Sequence, residues 1–192
     1  NKYTITPASL TINIGGSRIY GDTNDTSDYN YSAASGLKTW DQTKFNNVGW
    51  DDLTVNNTSD VLDDVNSYTG KLSLDATSKN TVSTGLTNNY NITYTDSFAI
   101  NKADLTYVAK GTRVYGEANS TSGEDYSFTF DGLKNGQTID GDKLTVTNNT
   151  SIQANAGSNQ TVASASGFNG SGSTGFKESN YNISTVEASN KY

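Results

Sequence analysis

A chain of 192 residues accommodates either one large domain or two of about 95 residues each. With 13 basic against 20 acidic residues its net charge is −7, which repels phosphate backbones and argues against a nucleic-acid partner. Cys, Met and His are all absent, which excludes thiolate and imidazole nucleophiles and zinc sites built from them; no stretch approaches the roughly eighteen apolar residues of a membrane helix, so no membrane insertion of this segment is expected.

In chain order, Leu10, Ile12 and Ile14 alternate with Thr11 and Asn13, the period of a half-buried strand. Gly15-Gly16 and "YGD" at 20–22 punctuate the chain where φ > 0 is tolerated. "SGLK" at 35–38 opens a loop, "KTWDQTKFNNVGWDD" (38–52), that holds both tryptophans. Leu53 with Val55, and Leu72 with Leu74, give two short strands, and Tyr90, Ile92 and Tyr94 alternate again. A second round follows: Leu105, then "YGE" at 115–117, then Tyr126, Phe128 and Phe130 in alternation, then Leu144 with Val146. "GLKNGQT" from Gly132 is compatible with one helical turn, and no amphipathic helix of three turns is legible. Apolar residues make up 32% of the chain, below the usual 45–50% or so, yet aromatics reach 10%, which disordered chains lack. The reading is a folded, mainly β protein with modest cores and five to seven strands in each half.

The two rounds are copies. Ile5 falls on Ile100, Ala8 on Ala103, Leu10 on Leu105, Arg18 on Arg113, Tyr20 on Tyr115 and Gly21 on Gly116 without a gap. "SGLK" then matches "DGLK" (131–134), "LTVNNTS" (53–59) matches "LTVTNNTS" (144–151), and "NYNI" (89–92) recurs at 180–183. These blocks, recurring in the same order, predict two homologous domains, residues 1–96 and 97–192, with Leu10/Leu105 and Tyr20/Tyr115 buried at equivalent places. Only "TYTDSFA" separates the first "NYNI" from the next Ile-x-x-Ala-x-Leu, with no Gly, no Pro and no polar run. The last strand of one domain is therefore expected to feed straight into the next, giving an elongated rod on the order of 70–80 Å. "NKY" stands at both 1–3 and 190–192, and further copies beyond both ends are expected.

The blocks "YTITPASLTI", "SRIYGD", "FAINKADLTY", "TRVYGE" and "NNYNITYTDSFAINKADLT" resemble the MBG-type repeats, of the YGX and YDG kinds, of large bacterial surface proteins. The resemblance covers most of both halves; Arg18 and Arg113 depart from it where a Lys or small residue is usual. It implies β-grasp-like or sandwich-like modules strung in the extracellular part of an adhesin, monomeric within a longer array, with no catalytic residue. Adhesin stalk repeats that also bind a host or matrix glycan or glycoprotein are one expectation, and inert spacers the other.

Three clusters could carry chemistry. In the loop 38–52, flat aromatic rings beside amides and carboxylates suit a sugar, which makes Trp40, Asp41, Gln42, Phe45, Trp50 and Asp51 the ligand candidates; the alternative is that the tryptophans plug the core. "DTNDTSD" offers oxygens from Asp22, Asn24, Thr26 and Asp28 in a spacing akin to a calcium loop, although Ser27 and Ala33 stand where such a loop has Gly and Glu. Carboxylate pairs such as Asp51-Asp52 sit in exposed-looking turns, with none of the burial that acid–base work requires, so no enzyme activity and no cofactor other than calcium is expected.

Overall fold

The computed structural model describes residues 2–157, 162 and 164–186. The chain divides into two compact units, Asn1–Asn101 and Lys102–Tyr192. Both are mainly β.

In the first unit the strands are β1 (Ala8–Ile19), β2 (Tyr29–Ser35), β3 (Val55–Asn57), β4 (Asn66–Tyr68), β5 (Leu72–Leu74) and β6 (Tyr90–Asn101), with helices α1 (Gln42–Asn46) and α2 (Ala76–Gly85). The main sheet has the order β2-β1-β6-β4, and β3 pairs with β5 in a second, two-stranded sheet. β1 and β6 run parallel over twelve residue pairs, from Ala8↔Tyr90 to Ile19↔Asn101. Period two explains the packing. Leu10, Ile12 and Ile14 of β1 point inward with Phe98 and Ile100 of β6, and join Val48, Leu53, Leu72, Leu74, Val82 and Leu86 in the core. The opposite face carries Ser9, Thr11, Asn13, Thr93, Thr95 and Ser97.

The second unit holds β7 (Ala103–Gly111), β8 (Tyr126–Asp131), β9 (Thr145–Thr147), β10 (Ser164–Ser166) and β11 (Tyr181–Thr185). Its main sheet has the order β11-β7-β8, and β9 pairs with β10. β7 and β11 are parallel from Ala103↔Tyr181 to Thr185↔Tyr107, the register of β1 on β6 residue for residue. β8 lies antiparallel on β7 as β2 lies on β1. Where the first unit stacks Ile12 and Ile14, the second has Tyr107 and Ala109, packed on Tyr126, Leu144, Val146, Val162 and Phe168 with Phe128 alongside.

Two expectations are corrected. Tyr20 is fully buried, but Tyr115 is 61% exposed. β1 continues to Ile19, and the Tyr20 N–H donates to Asn101 O at 2.8 Å; β7 ends at Gly111, so no strand carries Tyr115 into the core. "GLKNGQT" is a turn rather than a helical one: Gln137 N–H donates to Lys134 O, with Asn135 and Gly136 at φ 52° and 70°, the type I′ geometry that Asn-Gly favours. Beyond these, α2 spans ten residues, just short of three turns, that period analysis passes over. Its buried residues are only Ser78 and Val82, too few for a stripe, and its start is fixed by Asp75, whose carboxylate accepts from Ser78 N–H at 2.7 Å.

Candidate functional site

The loop that distinguishes the first unit begins at Lys38 and is built as a 3-10 turn (Thr39–Asp41), the short α1, and a second 3-10 turn (Trp50–Asp52). Its six candidates do not form one patch. Phe45 is buried and Trp50 is half-buried. The Trp50 ring stacks on Tyr31 with centroids 4.9 Å apart, meets Phe45 at 4.7 Å, and its Nε1–H donates to Phe45 O at 2.8 Å. These three rings cover the β2 edge of the core. Burial is the main cause that raises the Tyr31 pKa above its ordinary value, with Tyr29 and Asp51 adding to it.

Asp41 is buried and spoken for. Its Oδ1 accepts from Lys44 Nζ at 2.8 Å and its Oδ2 from the Tyr90 hydroxyl at 2.7 Å, while the same hydroxyl accepts from Lys38 N–H at 3.1 Å. The second unit repeats this latch without a charge: the Tyr181 hydroxyl accepts from Lys134 N–H at 3.1 Å and donates to Gln137 Oε1. Asp41 is thus a structural residue of the module, in the place Gln137 fills in the other copy. Of the remaining candidates, Gln42 is exposed and donates to Asn46 Oδ1 at 3.0 Å, and Asp51 is exposed. Trp40 alone offers a free ring face, 77% exposed.

The Lys44 bond, then the Tyr90 hydroxyl, hold the Asp41 carboxyl below the usual carboxylate range. A depressed folded-state pKa contributes stability that is present above the unfolded value and lost as pH falls through the folded one. Acid titration below about pH 4 is therefore expected to weaken the first unit in wild type, and Asp41→Asn is expected to reduce that loss. Thermal melts at pH 7 and pH 3 followed by tryptophan fluorescence, which reports on the first unit alone, check it.

The two tryptophans separate cleanly by mutation. Trp50→Ala is expected to cost the first unit about 2–4 kcal/mol by removing stacked area and a hydrogen bond, whereas Trp40→Ala is expected to leave its stability within about 0.5 kcal/mol. Urea unfolding monitored by circular dichroism distinguishes them, and equal effects contradict this placement.

Two of the four calcium candidates, Asn24 and Asp28, are engaged in the fold. Asn24 Oδ1 accepts from Arg18 Nε at 3.1 Å, Asn57 Nδ2 at 3.1 Å and the Ser59 hydroxyl at 3.2 Å, so an ion there would displace three donors and face a guanidinium. Asp28 Oδ2 accepts from Asp25 N–H at 2.8 Å in a capping box. Asp22 and Thr26 are exposed. Among the described residues no three acidic, His or Cys side chains converge on a metal position.

What sequence reading passes over is the network around Arg18. Buried at 4% exposure, its guanidinium donates to Asn24 Oδ1, to Ile19 O at 3.2 Å and to Asp60 O. Asn24 Nδ2 donates to Ser59 O at 3.3 Å, and Gly21 N–H to Val61 O at 3.1 Å. The second unit repeats it in outline but without the arginine–asparagine bond, since its arginine and asparagine both reach backbone carbonyls instead. Arg113 donates to Glu117 O and Ser151 O, Asn119 Nδ2 to Asn148 O and Thr150 O, and Gly116 N–H to Ile152 O at 3.2 Å. The two recurring blocks, Arg-x-Tyr-Gly-x-x-Asn and Asn-x-Thr-Ser, are therefore two sides of one internal clamp. Their joint recurrence in the sequence is the signal that points to it.

Comparison with protein-family models, with curated proteins and with solved structures finds no match for this chain.

Proposed function

We propose that the chain consists of two adjacent modules of an extracellular bacterial surface adhesin and works as a load-bearing length of its stalk. The observation that carries this reading is the placement of each module's first and last strands. They are neighbours and parallel, so the chain enters the first unit at the Ala8/Tyr90 end of the ladder and leaves at the Ile19/Asn101 end. The second unit has the same geometry from Ala103/Tyr181 to Tyr107/Thr185. Tension along the chain then slides the two strands past each other and loads all the ladder hydrogen bonds together, instead of peeling them singly. The recurring residues support the same reading, because Arg18, Asn24 and Tyr90, and their counterparts Arg113, Asn119 and Tyr181, are spent on internal bonds. The order β2-β1-β6-β4 around a central parallel pair favours the β-grasp-like form of the module.

End-to-end placement of the two modules belongs to this proposal and rests on the short seam in the sequence. Small-angle scattering tests it: a maximum dimension on the order of 70–80 Å agrees, and one near 50 Å contradicts.

A second role, direct glycan binding, is favoured by one observation, the 77% exposure of Trp40. Lone exposed indoles suit the apolar face of a pyranose. A glycan array probed with the chain and with Trp40→Ala decides between this role and an inert spacer, since only a Trp40-dependent signal supports binding.

A further inference from the structure

The residues 2–7 that precede β1 are all exposed, and among them are two large apolar side chains, Tyr3 at 92% and Ile5 at 85%. The ungapped alignment of the two copies puts Tyr3 on Phe98 and Ile5 on Ile100. Those counterparts are among the most buried residues of the protein, at 1% and 2%. They lie in the second half of β6, with Phe98 between Gly16 of β1 and Tyr68 of β4, and Ile100 between Arg18 and Asn66. Although they stand immediately before the second repeat's Ala103-x-Leu105, they belong to the sheet and core of the first unit.

We propose that Tyr3–Thr6 is the closing half-strand of another repeat of this kind, and that its partner is the sheet of that repeat, at the place Phe98–Asn101 hold in the first unit. Alternation supports this: Tyr3 and Ile5 are two residues apart with Thr4 and Thr6 between and after them, as Phe98 and Ile100 flank Ala99 and precede Asn101. The inward pair is apolar in both, and neither four-residue segment carries a charge. A consequence is that a module cut at its sequence repeat loses the strand that closes its sheet. Sharing by direct continuation also makes each junction part of a folded sheet. The proposal extends the tandem-module reading and needs neither a surface location nor a ligand.

The test adds a repeat made of residues 8–97 directly before Tyr3 of the full chain, so that Tyr3–Thr6 follows Ser97 as Phe98–Asn101 does now. Hydrogen exchange of the Tyr3–Thr6 amides is compared between this protein and the parent chain. They are expected to slow by about 100-fold or more, and Ile5→Asp is expected to abolish that protection and unfold the added repeat while changing nothing in the parent. Equal exchange rates in the two proteins, or an Ile5→Asp variant that leaves the added repeat folded, overturn the proposal. A control carries Phe-Ala-Ile-Asn in place of Tyr3–Thr6 and so reproduces the existing junction. An added repeat that folds in this control and not with Tyr3–Thr6 overturns it as well. Failure here leaves the stalk reading standing, because scattering and pulling measurements on the two-unit chain do not depend on it.

Discussion

Gly36→Ala and Gly132→Ala are each expected to destabilise their own unit by about 3 kcal/mol or more, enough to unfold a marginal module. Both glycines have left-handed backbones, φ 90° and 99°, and at each a Cβ would collide with a backbone carbonyl oxygen, that of Ser9 for Gly36 and of Asp104 for Gly132. The positive φ alone costs of order 1–2 kcal/mol for a residue with a side chain. The clash adds to it, because Ser9 and Asp104 are held in the parallel ladders opposite Asn91 and Asn182 and have no room to retreat. Urea unfolding reads the two effects separately. Tryptophan fluorescence follows the first unit, which holds Trp40 and Trp50, and far-ultraviolet circular dichroism follows both. A cost under about 1 kcal/mol at either glycine contradicts the close approach described here.

Arg18→Ala is expected to be as damaging, about 3–5 kcal/mol in the first unit. The substitution removes three charge-assisted hydrogen bonds, to Asn24 Oδ1, Ile19 O and Asp60 O, and empties a buried side-chain site. Each such bond contributes about 1.5–3 kcal/mol. The total stays at the lower end of their sum because every acceptor keeps another donor, Asn57 Nδ2 and the Ser59 hydroxyl for Asn24, Asp22 N–H for Ile19 and Asp63 N–H for Asp60. Arg113→Ala, at a less buried position on the same kind of loop, is expected to cost about half as much. The comparison is informative because both side chains do the same job, tying the turn after the first strand to the loop after "NNTS". Differential scanning calorimetry of the two variants gives the two costs, and an Arg18→Ala protein as stable as wild type rejects the clamp.

Strands and the correspondence of the two copies are legible in the sequence because they rest on period two and on recurrence. Leu10, Ile12 and Ile14 alternate in sequence and lie together in the core, and the "NYNI" recurrence places Tyr90 and Tyr181 at identical ladder positions against Ala8 and Ala103. Helix α2 is not legible, because a helix held by an Asp75 cap and one buried Val82 leaves almost no apolar period. The loop 38–52 misleads for a different reason. Composition groups Trp40, Asp41, Phe45 and Trp50 as a polar-aromatic patch, but which ring turns inward depends on partners distant in sequence, Tyr31 for Trp50 and Tyr90 for Asp41. Tyr115 shows the limit of the repeat itself. An identical motif is exposed where the strand that carries it stops at Gly111.

The role of the terminal strands is tested most directly by pulling single molecules in two directions. The chain contains no cysteine, so introduced thiols are unique attachment points. Pulled from its two ends, the chain is predicted to give two separate unfolding events, each releasing about 300 Å, the extended length of one module less its folded span. Pulled instead between Lys2→Cys and Asn89→Cys, both at the Ala8/Tyr90 end of the ladder, the first unit is predicted to yield at a several-fold lower force, because the ladder bonds then break singly and in sequence. Equal forces in the two directions would contradict a load-bearing module.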